Sequence, residues 1–260
     1  MAENPYAAPR AHVQDAGTAL AGEFVAEGQS VPAGNGWSWI RDGFAMFREQ
    51  PGTWILIVIV FVVIAIVMGL IPFVGSLALQ LLTPVFTGGV MLGCRQIEEG
   101  GEFSVGTLFA GFSNRGGQLV LLGLVGLLAI VLIVMATGLV FFGMGGLALF
   151  SGAATDQRAA IGFATMMLAV LVGLALSLPV YMALWFSPAL IALNDLPLGA
   201  AIKSSFSGCL RNMIPFLVYG VVLFVFLVLA IIPVLLGMLV MLPVLFASIY
   251  TAYRDIYYVR

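Results

Sequence analysis

Four polar residues that share one predicted helix are the best placed in this chain to do chemistry: Ser76, Gln80, Thr83 and Thr87. Their spacing of i, i+4, i+7 and i+11 puts them on a single helical face. Hydroxyl and amide groups in such a row could line a path for a permeating solute or hold a small ligand. The commoner use of the row is packing, since Ser, Thr and Gln bond between membrane helices for about 0.6–2 kcal/mol each. Pro84 interrupts the row and withdraws a backbone donor beside Gln80. Gly89 and Gly93 follow in a Gly-x-x-x-Gly spacing suited to close helix contact.

Other reactive groups are sparse. The one histidine, His12, lies in an N-terminal tail, so no Ser/His/Asp arrangement is within reach. Glu98, Glu99 and Glu102 form an acidic loop whose default role is solvation. Cys94 and Cys209 are expected as unbonded thiols at helix ends on a reducing side of the membrane. No catalytic, cofactor-binding or metal-ligating residues are expected, and the chain is read as not an enzyme. Nucleic acid is not expected as a partner either, because no basic cluster is present.

The elements that must hold the polar row are membrane helices. Only 8% of residues are charged and 62% are hydrophobic, against about 25% charged in soluble domains. Four stretches, 50–94, 116–155, 159–194 and 212–253, carry no charge at all. A spanning helix needs roughly 20 apolar residues, so the first and last stretches each fit two helices, broken at Pro72 and Pro233. No run alternates with period two, which disfavours a barrel. Helices are predicted over 52–71, 75–94, 117–145, 161–192, 214–232 and 235–253, the polar row lying on the second. The ionisable residues that mark pumps and proton relays are absent from all six interiors.

Basic residues orient the bundle. Arg41, Arg48, Arg95, Arg115, Lys203, Arg211, Arg254 and Arg260 fall near helix ends on one side, and Arg158 falls on the other. The positive-inside tendency makes the crowded side cytoplasmic, with both termini there.

Internal repetition refines this. Phe-rich charged segments beginning at Phe44, Phe109 and Phe206 each precede a helix pair, and Pro84-Val85, Pro179-Val180 and Pro243-Val244 mark the second helix of each. The expected fold is all-α: a polytopic bundle of six transmembrane helices, arranged as three parallel two-helix repeats near 36–97, 103–195 and 196–258. The middle repeat carries a surplus between Gly138 and Gly162 that could project, re-enter or add helices. Trp37, Ile40, Phe44 and Phe47, then Val105, Leu108, Phe109 and Phe112, then Leu198, Ile202 and Phe206 each give an apolar face to a short cytoplasmic helix lying in the headgroup plane. Asp195 is placed to cap the third of these. Trp37, Trp39, Trp54, Trp185, Tyr250, Tyr253, Tyr257 and Tyr258 read mostly as an interfacial aromatic belt. Residues 1–35, rich in Ala, Gly and Pro, are expected to be a disordered cytoplasmic tail ahead of a membrane domain over 36–260.

Within the tail, Asn4-Pro5-Tyr6-Ala-Ala-Pro9 looks like a short leader seen ahead of various bacterial membrane domains. Further on stand Gly36-Trp37-x-Trp39, Pro51-x-x-Trp54, Gly93-Cys94-Arg95, Asp195-Leu196-Pro197, Leu210-Arg211-Asn212 with Pro215-Phe216, and Tyr253-Arg254-Asp255-Ile256. Through these the chain resembles an uncharacterised multi-pass inner-membrane family of proteobacteria. The resemblance implies a bacterial inner-membrane setting and carries no activity. Three helix pairs are also similar in outline to mitochondrial carriers, but the charges that follow the proline in that family are missing after Pro84, Pro179 and Pro243.

The expected function is a non-enzymatic scaffold or modulator of membrane partners, in contact with lipid and with a membrane-protein partner or further copies of itself. The alternative is a small transporter or lipid-handling channel using the row from Ser76 to Thr87.

Overall fold

The computed structural model describes residues 22–150, 155–232 and 237–259, and of 146–150 the backbone alone. The Asn4-Pro5-Tyr6 leader and Pro233 lie outside the described residues. A strand, β1 (Glu23–Phe24), leads into α1 (Asn35–Glu49), α2 (Pro51–Gly69) and α3 (Val74–Glu98). A 3-10 turn at Val105–Phe109 runs into the single turn α4 (Ala110–Ser113). Then come α5 (Gly116–Phe150), α6 (Thr155–Trp185), α7 (Ser187–Asn194), α8 (Leu198–Arg211), α9 (Met213–Ile231), α10 (Met238–Tyr257) and β2 (Tyr258–Val259). The all-α expectation holds, since the only strands among the described residues are two two-residue pieces paired antiparallel.

Six helices among the described residues are long and apolar enough to cross a membrane: α2, α3, α5, α6 with α7, α9 and α10. Hydrocarbon offers no partner to backbone amides, so apolar runs of this length close their hydrogen bonds internally as helices. Their ends follow local chemistry. Pro51 sits in the first turn of α2, where its missing amide costs nothing. The α2–α3 hairpin turns through Phe73 at φ 61°, and Gly75 lets the returning backbone close on the Met68 carbonyl. The surplus of the middle pair is absorbed into longer helices, α5 continuing to Phe150 and α6 starting at Thr155. At 35 residues, α5 is about 52 Å long and exceeds the roughly 30 Å hydrocarbon thickness.

A short helical element precedes each pair of spans, α1 before α2–α3, α4 before α5–α6 and α8 before α9–α10, but the packing does not treat the three pairs alike. Half of the α10 span and 44% of the α3 span are buried, against 11% for α6. α3 and α10 are therefore central, while α6 faces mainly outward although it carries the matching proline, Pro179.

One end of the bundle is a densely packed plate. α1 packs across α9 and α10: Gly36 lies against the backbone of Pro215 and Tyr219, and Gly43 against that of Ser248. Gly89 and Gly93 make close contact, as their spacing suggested, but with Thr107, Leu108 and Phe103 of the α3–α4 linker rather than with a second spanning helix.

Several expectations change here. The folded chain starts upstream of 36, because Gly22–Gly34 run along the plate: β1 pairs with β2, Val31 N donates to Asn212 Oδ1 at 2.8 Å, and Gln29 N donates to the Ile256 carbonyl at 2.8 Å. The aromatic belt is mostly interior. Trp39, Trp54, Tyr250, Tyr253 and Tyr257 are each 2% exposed or less, and only Trp37 among the tryptophans is exposed. Trp39, Tyr250, Tyr253 and Tyr257 find hydrogen-bond partners for their polar ends inside the plate, whereas the Trp54 indole Nε1 is buried without one among the described residues. α8 buries Ala201, Ser204, Ser205 and Gly208, and its Phe206 faces outward. Asp195 does not cap α8. It closes α7 in the left-handed region at φ 55° and accepts from Arg115 Nε at 2.8 Å.

Candidate functional site

The polar row lies on α3. Gln80, Thr83 and Thr87 line a cleft of about 300 Å³ between α3, α5, α6, α7 and α10, with Leu122, Gly126, Tyr181, Trp185 and Pro188 among its other walls. Ser76 is not part of it and donates to the Phe73 carbonyl at 3.0 Å, one turn back. Thr83 Oγ1 donates to the Leu79 carbonyl at 2.7 Å, and Thr87 Oγ1 to the Thr83 carbonyl at 2.9 Å. Both hydroxyl protons are thus committed to their own helix, and neither threonine bridges to a neighbour. Pro84 leaves the Gln80 carbonyl without its intrahelical donor. The indole Nε1 of Trp185 is buried in the wall with no hydrogen-bond partner among the described residues. The row therefore divides into one residue outside the cleft, two internally satisfied threonines and one free amide.

The second constellation is the plate, where Glu98 at the end of α3 accepts from the Tyr250 hydroxyl and pairs with Arg254 at 3.1 Å. Arg254 also stacks over the Tyr258 ring at 4.3 Å. Asp255 Oδ2 accepts from both Trp39 Nε1 and Asn35 Nδ2 at 2.8 Å. Asn194 joins the hydroxyls of Tyr253 and Tyr258. Asn212, fully buried, accepts from Val31 N and donates to the Gln29 and Gly208 carbonyls. A polar cleft of about 690 Å³ opens on this plate, walled by α1, the end of α3 and the end of α10, with Ser38, Asp42, Glu49, Glu98, Arg254 and Asp255 in its lining.

Cys94 and Cys209 are free, and both are buried. Burial pushes the Cys209 thiol up to about 12, so it stays protonated at neutral pH. The Asp42 carboxylate holds the Arg41 guanidinium above its ordinary value through a hydrogen bond. Among the described residues no group of three or more His, Cys, Asp or Glu is placed to hold a metal ion.

Asn35, Asn194 and Gln29 were missed as organising residues. Isolated amides beside charged termini carry no periodic signal. Asn212 and Asp255 lay within the segments that carried the family resemblance, and those segments now prove to meet in one plate.

No family model matches this chain, and no solved structure matches it. It is 28% identical over 206 residues to a probable inner membrane protein of Burkholderia thailandensis, a match covering 75% of this chain and 74% of that protein. That similarity agrees with the resemblance to inner-membrane proteins of unassigned activity. With six membrane-length helices, it describes a multi-pass inner-membrane protein.

Proposed function

We propose that the chain is a non-enzymatic membrane scaffold whose charged plate faces the cytoplasm and holds a polar segment of a partner protein. The observation that carries this reading is the 690 Å³ cleft, open on a surface whose neighbouring side chains are already locked by mutual hydrogen bonds. A rigid, pre-organised rim loses little conformational freedom on binding, which favours a docking role. Seven basic residues among the described ones, Arg41, Arg48, Arg95, Arg115, Lys203, Arg211 and Arg254, fall on the plate side and support the cytoplasmic orientation. A photoreactive residue placed at Ser38 or Ala45, on the rim, tests it in native membranes. A discrete cross-linked species at either site is expected. Adducts to lipid alone at both positions would remove the docking role.

A second reading, a small transporter or lipid-handling channel, draws on the cleft reached by Gln80, Thr83 and Thr87. It requires water along α3. Thr83→Cys labelled by a membrane-impermeant thiol reagent would support it, and protection from the reagent added on both sides would end it.

A further inference from the structure

Next to the polar cleft, on another flank of α1, lies an apolar groove of about 480 Å³, walled by Trp37, Ile40, Phe44, Phe226, Val240 and Val244, with Arg41 lining both. Phe226 and Leu229 stand 13 and 16 residues beyond the start of α9, or about 20–24 Å along its axis at 1.5 Å per residue. The groove thus runs from the plate toward the bilayer interior. Trp37 stacks on Phe226 with ring centroids 6.1 Å apart, yet remains 47% exposed.

Charge on α1 is sorted by face. Trp37, Arg41, Phe44 and Arg48 follow i, i+4, i+7 and i+11, and all four are exposed. Asp42 and Glu49, one position further round, line the polar cleft, which Arg41 also reaches while Trp37, Phe44 and Arg48 do not. Arg41 uses only its Nε on Asp42, at 2.8 Å. Its two terminal nitrogens remain as donors, and a guanidinium fork suits phosphate. Aromatic and basic residues alternating on one exposed face, above an apolar channel, match the two ends of an anionic amphiphile.

We infer that this groove is a binding site for an anionic phospholipid of the surrounding bilayer, its phosphate held by Arg41 and Arg48 and an acyl chain lying along Phe226, Leu229, Val240 and Val244. The site borders the partner cleft, whose lining also includes Arg41, but its apolar walls are not part of that cleft and the inference does not depend on that reading. Selectivity comes from the two bases, since each basic residue near an anionic surface is worth about five-fold in partitioning.

The full chain is reconstituted in phosphatidylcholine vesicles containing phosphatidylglycerol brominated on its acyl chains. Subtracting the emission of the Trp37→Phe variant isolates the Trp37 signal. Brominated phosphatidylglycerol is expected to quench Trp37 at a mole fraction lower, on the order of ten-fold, than brominated phosphatidylcholine. Arg41→Gln with Arg48→Gln should bring the two lipids to parity while circular dichroism stays unchanged. Salt added to the unmodified protein gives a readout independent of any variant, because screening must shrink the preference. Equal quenching by both lipids would show annular contact only and overturn the site. So would a preference that survives the double substitution or is indifferent to salt.

Discussion

The plate and the lipid-facing shell are built from the same short alphabet of residues, yet they obey opposite rules. In the plate, Trp39, Tyr253 and Asn212 are buried and their polar ends are assigned: indole to Asp255, hydroxyl to Asn194, amide to Gln29 and Gly208. Along the outer faces of α5, α6 and α9, residues such as Leu132, Leu174 and Phe224 are exposed and have no partner to match. Packing against a neighbour demands complementary shape and satisfied polar atoms, whereas lipid demands only apolarity. Specific structure is therefore concentrated at one end of a bundle whose composition is nearly uniform.

Substitutions can break this comparison in graded steps. Asn212→Leu should cost most, about 2–5 kcal/mol, because it strands the Val31 amide and the Gln29 carbonyl in a buried site. Unfolding of the detergent-solubilised protein measures it, and a loss no larger than for a lipid-facing position would erase the distinction. Gly43→Ala should follow at about 1–3 kcal/mol through overpacking, since its Cβ would come within 2.7 Å of Ser248 N. Ser248→Ala removes the 2.8 Å bond to the Tyr219 hydroxyl and should cost about 0.6–2 kcal/mol. A double-mutant cycle with Tyr219→Phe isolates that pair. Leu132→Ala, 66% exposed on α5, should stay within about 0.5 kcal/mol of the parent. A clear loss there would mean that another protein surface, rather than lipid, covers that face.

Much of the architecture was legible because charge is so rare. The stretches free of Asp, Glu, Lys and Arg located all six spans, and Arg48, Arg95, Arg211 and Arg254 mark the plate end of their helices. The candidate site was legible only in part. The spacing of Gln80, Thr83 and Thr87 identified one face of α3, and that face does line a cleft. Ser76 shares the face but lies nearer the hairpin, beyond the cleft, because a periodic pattern gives direction around a helix and not the depth at which neighbours close in. The buried tyrosines of α10 read as a belt for a related reason: an aromatic at a helix end suits the membrane interface and a capped interior equally well. Only the position of α1 over α10 decides between them.

The sequence by itself determined that this chain enters a membrane, which six stretches span it, and which side gathers the positive charge. Those properties are local, depending on the transfer of consecutive residues into hydrocarbon and on charge counted along the chain. The tertiary structure decided which helices are central, that Gly22–Gly34 belong to the fold, and that distant segments around Asn35, Glu98, Asn212 and Asp255 form one plate. Those depend on pairings across up to about two hundred residues, in which hydrogen-bond partners and close backbone contacts select one arrangement from many with the same hydropathy.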